Sequence, residues 1–201
     1  MTIDINALRN KQRILIGGNH GLEKISKLIS QVLESTGKSF HFLENGIPVP
    51  ASSAVVFLKG GNELIDGSPL FHQFQPHILV LFKVSKKTPE GYDSFESYVG
   101  EVEKLANTLP KAGTFIFNQS DNVSLMIGKN DREDVKAIEF SALEGKKTNS
   151  GYLLTYKNDP FEVITDNENF LDHAAAAKAL LNRIGVSDDQ FYAVLKTLAH
   201  A

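Results

Sequence analysis

The sequence predicts an α/β fold, a mostly parallel twisted sheet flanked by helices. Three observations carry this. Strands are expected at 13–16, 54–58, 78–84 and 114–117, and those at 54–58 and 78–84 are short, nearly continuous apolar runs, the pattern of parallel strands covered on both faces. Two amphipathic helical stripes lie between them, with connections long enough for crossovers. A glycine-rich turn, Gly17-Gly18-Asn19-His20-Gly21, joins the first strand to the first stripe.

The elements follow in order. After the strand at 13–16, Ile25, Leu28, Ile29, Val32 and Leu33 recur at helical spacing and form one apolar stripe. Gly37 is a natural C-terminal stop. Strands are expected at 39–43, 54–58 and 78–84. A second helix is expected over 94–109, with Phe95, Tyr98, Val99, Val102, Leu105, Ala106 and Leu109 on one side and Pro110 and Gly113 closing it. The strand at 114–117 completes a β-α-β-β-β-α-β order. Beyond it the pattern predicts a short helix over 123–127, a strand over 135–140, and a small β-hairpin near 150–165. The hairpin pairs 152–156 with 161–164 through a turn at 157–160. Two helices finish the chain, an alanine-rich one over 169–184 and another over 188–199. Ser187 or Asp188 caps the last, and Val186 staples it. The stretch 145–151 reads as loop.

Composition narrows the function classes. The chain has 201 residues and a formal charge of −3, so one domain spanning 1–201 is expected. The faintly acidic balance argues against nucleic-acid or anionic-membrane partners. Cysteine is absent, which removes disulfides, a thiol nucleophile and Cys-based zinc sites. The polar N-terminus lacks the apolar core of a signal peptide. No apolar run reaches the ~18 residues a membrane span needs. The expected compartment is the cytoplasm.

The turn at 17–21 is a candidate phosphate cradle, because backbone N–H groups and a helix dipole converge there. A working P-loop also needs Lys beside its last Gly, and then Ser or Thr for Mg²⁺. Leu22 and Glu23 stand in those places. Glu23 instead complements the helix N-terminus, and the plain reading is a tight βα turn with Asn19 as the helix cap. The histidines lack a metal spacing: His72 and His77 flank a strand start, and His173 suits packing. No Ser-His-Asp arrangement is visible. Catalytic and metal-ligating residues are therefore both expected to be absent. Glu63, Asp66, Glu90 and Asp93 read as surface carboxylates.

The order of these pieces resembles the central, ATP-binding domain of the Mur ligases. Residues 14–21 resemble a loop that reads G-T-H-G-K-T-T in the muramate–amino acid and muramyl-tripeptide ligases. Residues 74–81 resemble "Y-x-P-D-I-L-V-L", 92–98 resemble "D-x-F-x-x-Y", and 109–118 resemble "L-P-x-x-G-x-x-I-x-N". Residues 169–177 resemble the "G-x-H-N-x-x-N-A-x-A-A" helix that closes the central domain. The departures fall on the chemistry. The family's P-loop Lys and Thr fall on Leu22 and Glu23. Its carboxylate-rich turn after the third strand reads Lys59-Gly60-Gly61-Asn62, and its next metal and phosphate turn reads Phe82-Lys83-Val84-Ser85-Lys86-Lys87-Thr88. Of "G-x-H-N" only Asn169 survives, a position that in the family lies by the adenine.

The resemblance implies a degenerate, stand-alone central domain, without the family's N-terminal UDP-binding and C-terminal ligase domains. Three functional readings stay open. The first is a non-enzymatic binding or interaction module related to peptidoglycan metabolism. The second is an ATP-dependent acid–amino acid ligase domain completed by another chain. The third is a metal-independent binder of a nucleotide or other anion, with lysines at the strand ends replacing Mg²⁺. The candidate binding residues are Gly18, Asn19, His20, Gly21, Lys86, Lys87 and Asn169. No resident cofactor is expected, and ATP with Mg²⁺ enters only if the altered loop still binds it. The partner would be a small anionic ligand or a protein. A homodimer is an option, since missing flanking domains would leave surface uncovered.

Overall fold

In the computed structural model, which describes residues 3, 5–129 and 132–198, the expected elements form in the expected order. The first half carries α1 (Ile5–Leu8), β1 (Gln12–Gly17), α2 (Leu22–Ser35), β2 (Phe40–Phe42), β3 (Val55–Lys59), β4 (Leu64–Ile65), β5 (Ser68–Pro69), α3 (Leu70–Phe74) and β6 (Ile78–Leu81). The second half carries α4 (Phe95–Asn107), β7 (Thr114–Asn118), α5 (Asn122–Gly128), β8 (Lys136–Phe140), β9 (Lys146–Lys147), β10 (Gly151–Tyr156), β11 (Asp159–Ile164), α6 (Phe170–Arg183) and α7 (Asp188–Thr197). The expected end of the last helix at 199, and His200, lie outside the described residues. The chain divides into two compact units, residues 1–23 with 39–139, and residues 24–38 with 140–201.

The first unit is organised by a six-stranded sheet of order β2-β3-β1-β6-β7-β8. The pairs β2–β3, β3–β1, β1–β6 and β6–β7 are all parallel. At one edge, Lys136 N–H donates to Gly113 O and brings β8 beside β7. The apolar runs are buried as continuous stretches: Ile14, Leu15, Ile16, Leu79, Val80 and Leu81 are fully buried. That matches strands covered on both faces. A core of Leu15, Phe57, Phe74, Leu79, Tyr98 and Phe117, with their neighbours, fills this unit. Burying each such side chain contributes about 1.5–3 kcal/mol. Helix α4 starts with a capping box between Ser94 and Ser97 and buries Tyr98, Val102, Leu105 and Ala106. In α3, Leu70, Phe71 and Phe74 are buried, and the helix stops at Gln75, left-handed at φ 50°, just before Pro76.

The second unit begins with most of α2, whose predicted stripe of Ile25, Leu28, Ile29, Val32 and Leu33 is buried. Gly37, at φ +65°, closes it as predicted: Lys38 N–H reaches back 3.0 Å to Leu33 O, a Schellman closure. A three-stranded antiparallel sheet of order β11-β10-β9 follows. The hairpin turn is tighter than the four residues expected. Lys157 and Asn158 alone turn the chain, both left-handed at φ 53° and 64°. That is the geometry a two-residue hairpin requires. Asp159 and Pro160 already belong to β11. Proline is tolerated there because β11 is an edge strand. The stretch expected as loop, 145–151, also differs, since Lys146 and Lys147 pair with β10. Helix α7 opens with a Ser187–Gln190 capping box, which settles the cap on Ser187 rather than Asp188.

Candidate functional site

Open α/β sheets bind ligands outside the carboxyl ends of their strands, where the strand order reverses. In the first unit the chain leaves β1 for β3 on one side and returns to β6 on the other. The turns after these three strands meet at an open crevice of about 620 Å³. Gly18, Asn19, His20 and Gly21 line it from β1, Asn62 from the turn after β3, and Lys87, Thr88 and Glu90 from the loop after β6.

Glycine geometry sets the β1 turn. Gly18 lies at φ +115°, and a β-carbon there would fall 2.5 Å from the Lys83 carbonyl oxygen. Only glycine allows the two loops to approach so closely. Asn19 then ties them. Its amide N–H donates to Lys83 O at 3.1 Å. Its side-chain Nδ2 donates to the carbonyls of Ser85, at 3.0 Å, and Lys87, at 2.9 Å. Its Oδ1 accepts from the Ser85 amide at 2.8 Å and from the Ser85 hydroxyl at 3.0 Å. The reading of Asn19 as a helix cap is thereby corrected. Helix α2 begins at Leu22, so the cap position is Gly21, and the Asn19 side chain is committed to a loop 66 residues away.

The turn after β3 is held in a similar way. Gly60 and Gly61 are both left-handed, at φ +76° and +73°. Asn62 Nδ2 donates to Gly18 O at 2.9 Å, and its Oδ1 accepts from the Tyr98 hydroxyl at 3.3 Å. Burial first, and Tyr92 second, raise the Tyr98 phenol above its ordinary range. It stays a protonated donor at neutral pH. At the end of β3, Lys59 forms an ion pair with Glu23 in the first turn of α2.

The structure brings together five of the seven candidate binding residues: Gly18, Asn19, His20, Gly21 and Lys87. Lys86 is exposed on the same loop and is not among the crevice-lining residues. Asn169 belongs to the second unit, at the N-cap position of α6, where its side chain makes no capping hydrogen bond. Sequence reasoning missed Asn62, Thr88 and Glu90 as lining residues. Asn62 was visible only as a departure from a carboxylate turn, and its bond to Gly18 spans 44 residues. Among the described residues no group of three or more His, Asp or Glu side chains is placed to hold a metal ion. His72 instead pairs with Glu101 at 2.8 Å. His173 is 4% exposed, as packing predicted.

No protein-family model matches the sequence. The chain is 24% identical over 190 residues to UDP-N-acetylmuramoylalanine–D-glutamate ligase of Streptococcus agalactiae, covering 88% of this chain and 41% of that protein. It is 26% identical over 167 residues to UDP-N-acetylmuramate–L-alanine ligase of Dictyoglomus turgidum, covering 80% of this chain and 35% of that one. The match thus spans about two-fifths of the length of these relatives. Among solved structures, the UDP-N-acetylmuramate:L-alanyl-γ-D-glutamyl-meso-diaminopimelate ligase from Neisseria meningitides superposes with a TM-score of 0.75 at 16% identity, over 96% of this chain and 67% of that one. UDP-N-acetylmuramate–alanine ligase from Thermotoga maritima gives 0.71 at 15% identity, over 97% and 46%. Among the described residues no helix is long and apolar enough to cross a membrane. The chain thus has the fold of the Mur ligases' central domain and is similar to those ligases in sequence.

Proposed function

We propose that this domain has lost the ATP chemistry of the Mur ligases and serves peptidoglycan metabolism as a non-enzymatic binding or interaction module. One observation carries the reading, the ion pair between Glu23 and Lys59. Phosphoryl transfer from ATP is mostly positioning and charge stabilisation. It asks for a cation beside the phosphates on the helix side, and for hydroxyl or carboxylate ligands to Mg²⁺. Here the helix side presents a carboxylate and the strand end an ammonium group, the reverse arrangement. Leu22 adds no charge where the P-loop lysine would stand. The residues present do not fit Mg²⁺–ATP. Such parts act as a unit, and losing several together removes activity by orders of magnitude. The test is ADP release by the chain with ATP, Mg²⁺ and a UDP-muramyl acceptor. Release at the level of the protein-free blank is expected, and protein-dependent ADP formation overturns the reading.

A second reading is favoured by Lys87, which lines the crevice with His20 while its carbonyl is pinned by Asn19. In this reading the crevice binds an anion without a metal, through Gly18, Asn19, His20, Gly21 and Lys87. Pyrophosphate in the presence of EDTA would then raise the melting temperature. Lys87→Gln would remove that shift, and Lys86→Gln would leave it. A shift insensitive to Lys87 contradicts this reading.

A further inference from the structure

The second unit holds a cleft of its own, about 250 Å³ in volume. That is just below the ~300 Å³ at which drug-sized ligand pockets begin, and suits a small ligand. Its floor is apolar: Leu28, Val163 and Phe170 are 5%, 1% and 6% exposed. Lys24 and Lys27 stand on its rim, three residues apart on α2 and so on one helix face. Among the described residues neither lysine takes part in an ion pair. Asp166 on the rim offsets one of the two charges and leaves a net positive edge.

The opposite wall is set before any ligand arrives. Asn167 Nδ2 lies 2.9 Å from Nδ1 of the buried His173. The Asn167 amide donates to Thr165 Oγ1 at 3.1 Å, and Asn167 Oδ1 accepts from the Asn169 amide at 3.2 Å. A wall fixed in this way spends little ordering entropy on binding. The cleft therefore combines an apolar seat, a rigid polar wall and two uncommitted cations.

We propose that this cleft binds a small organic anion, with a phosphate or carboxylate head against Lys24 and Lys27 and an aryl or alkyl body seated on Phe170 and Leu28. Neither cation alone nor apolar floor alone selects this class. Inorganic phosphate lacks a body for the floor, and a neutral aryl compound leaves the lysines unanswered. The site is independent of the crevice reading and stands or falls separately.

The test is an amide-resolved NMR titration of the full chain with phenyl phosphate, benzoate, inorganic phosphate and phenol. Saturable shifts at Lys24, Lys27, Asn167 and Phe170 are expected with phenyl phosphate, with benzoate, or with both, and the comparison identifies the preferred head. Inorganic phosphate and phenol should bind at least about tenfold more weakly, the loss of one charge-assisted or apolar contact. Lys24→Gln and Lys27→Gln are exposed substitutions that leave the fold intact, and each should weaken phenyl phosphate about tenfold. The proposal is overturned by the absence of saturable shifts, by inorganic phosphate binding as well as phenyl phosphate, or by indifference to both lysines. Shifts confined to His20 and Lys87 would place the anion in the crevice and would equally overturn it.

Discussion

The two ends of the six-stranded sheet solve different problems. At the amino end of the strands, two cations are taken up by backbone carbonyls. Arg13 Nε donates to Gln75 O at 2.8 Å and Nη1 to Leu8 O at 3.2 Å. The Lys11 ammonium group reaches the carbonyls of Pro50, Ala51 and Ser53 at 2.7–3.1 Å. At the carboxyl end, left-handed glycines and two asparagine struts hold the turns, and charged side chains stand exposed around an open crevice. Lys11 and Arg13 at the amino end therefore serve stability. At the carboxyl end the backbone is fixed, while the charges are free to change. The turns can therefore keep their shape when the charges around them change.

Substitutions that break the fixed backbone should cost most. Gly18→Ala forces a β-carbon onto Lys83 O at a left-handed φ. A loss of about 3 kcal/mol in denaturant unfolding is expected. A loss under about 1 kcal/mol would mean that the two loops are not locked. Asn19→Ala removes the strut and should cost about 2 kcal/mol. It should also speed hydrogen exchange at the Ser85 amide, which donates to Asn19 Oδ1, with β6 itself unaffected.

The amino end yields a smaller, pH-dependent effect. Burial, and then the neighbouring Arg13, lower the His77 pKa below its ordinary 6.5. Unfolded, the imidazole takes up a proton near that ordinary value. Folded, it resists protonation to lower pH. Between the two values the unfolded state binds more protons, so this contribution is complete above 6.5 and is lost as pH falls through the lowered value. Unfolding free energies measured from pH 7.5 down to 5 should show the decline, and His77→Gln should flatten it. An equal slope in that variant would assign the decline elsewhere. The smallest effect belongs to Glu23→Gln with Lys59→Gln. This pair is exposed, with side chains 78% and 40% accessible. Its removal should leave stability unchanged within error.

The sheet and the longer helices were legible because their signals are local. Leu28, Ile29, Val32 and Leu33 repeat at helical spacing, and 78–81 is an uninterrupted apolar run. The two-residue strands β4, β5 and β9 were not legible, because two residues carry no period. Asp66-Gly67, left-handed at φ 51° and 77°, was the one local clue to the β4–β5 pair. In the candidate site the glycines were legible as a turn. Their partners were not, since Lys83, Ser85 and Lys87 reach Gly18 and Asn19 only through the parallel pairing of β1 with β6. The Glu23–Lys59 pair escaped notice for the same reason: each residue was read as a departure, and only the β1–β3 pairing brings them together.

In the proposed function the nucleotide-handling scaffold has outlived the groups that hold Mg²⁺–ATP. Calorimetric titration of the chain with ATP, once in excess Mg²⁺ and once in EDTA, tests it most directly. No binding that depends on Mg²⁺ is expected, with any weak heat unchanged or stronger in EDTA. Saturable binding that appears only with Mg²⁺ would contradict it and favour a ligase domain completed by another chain.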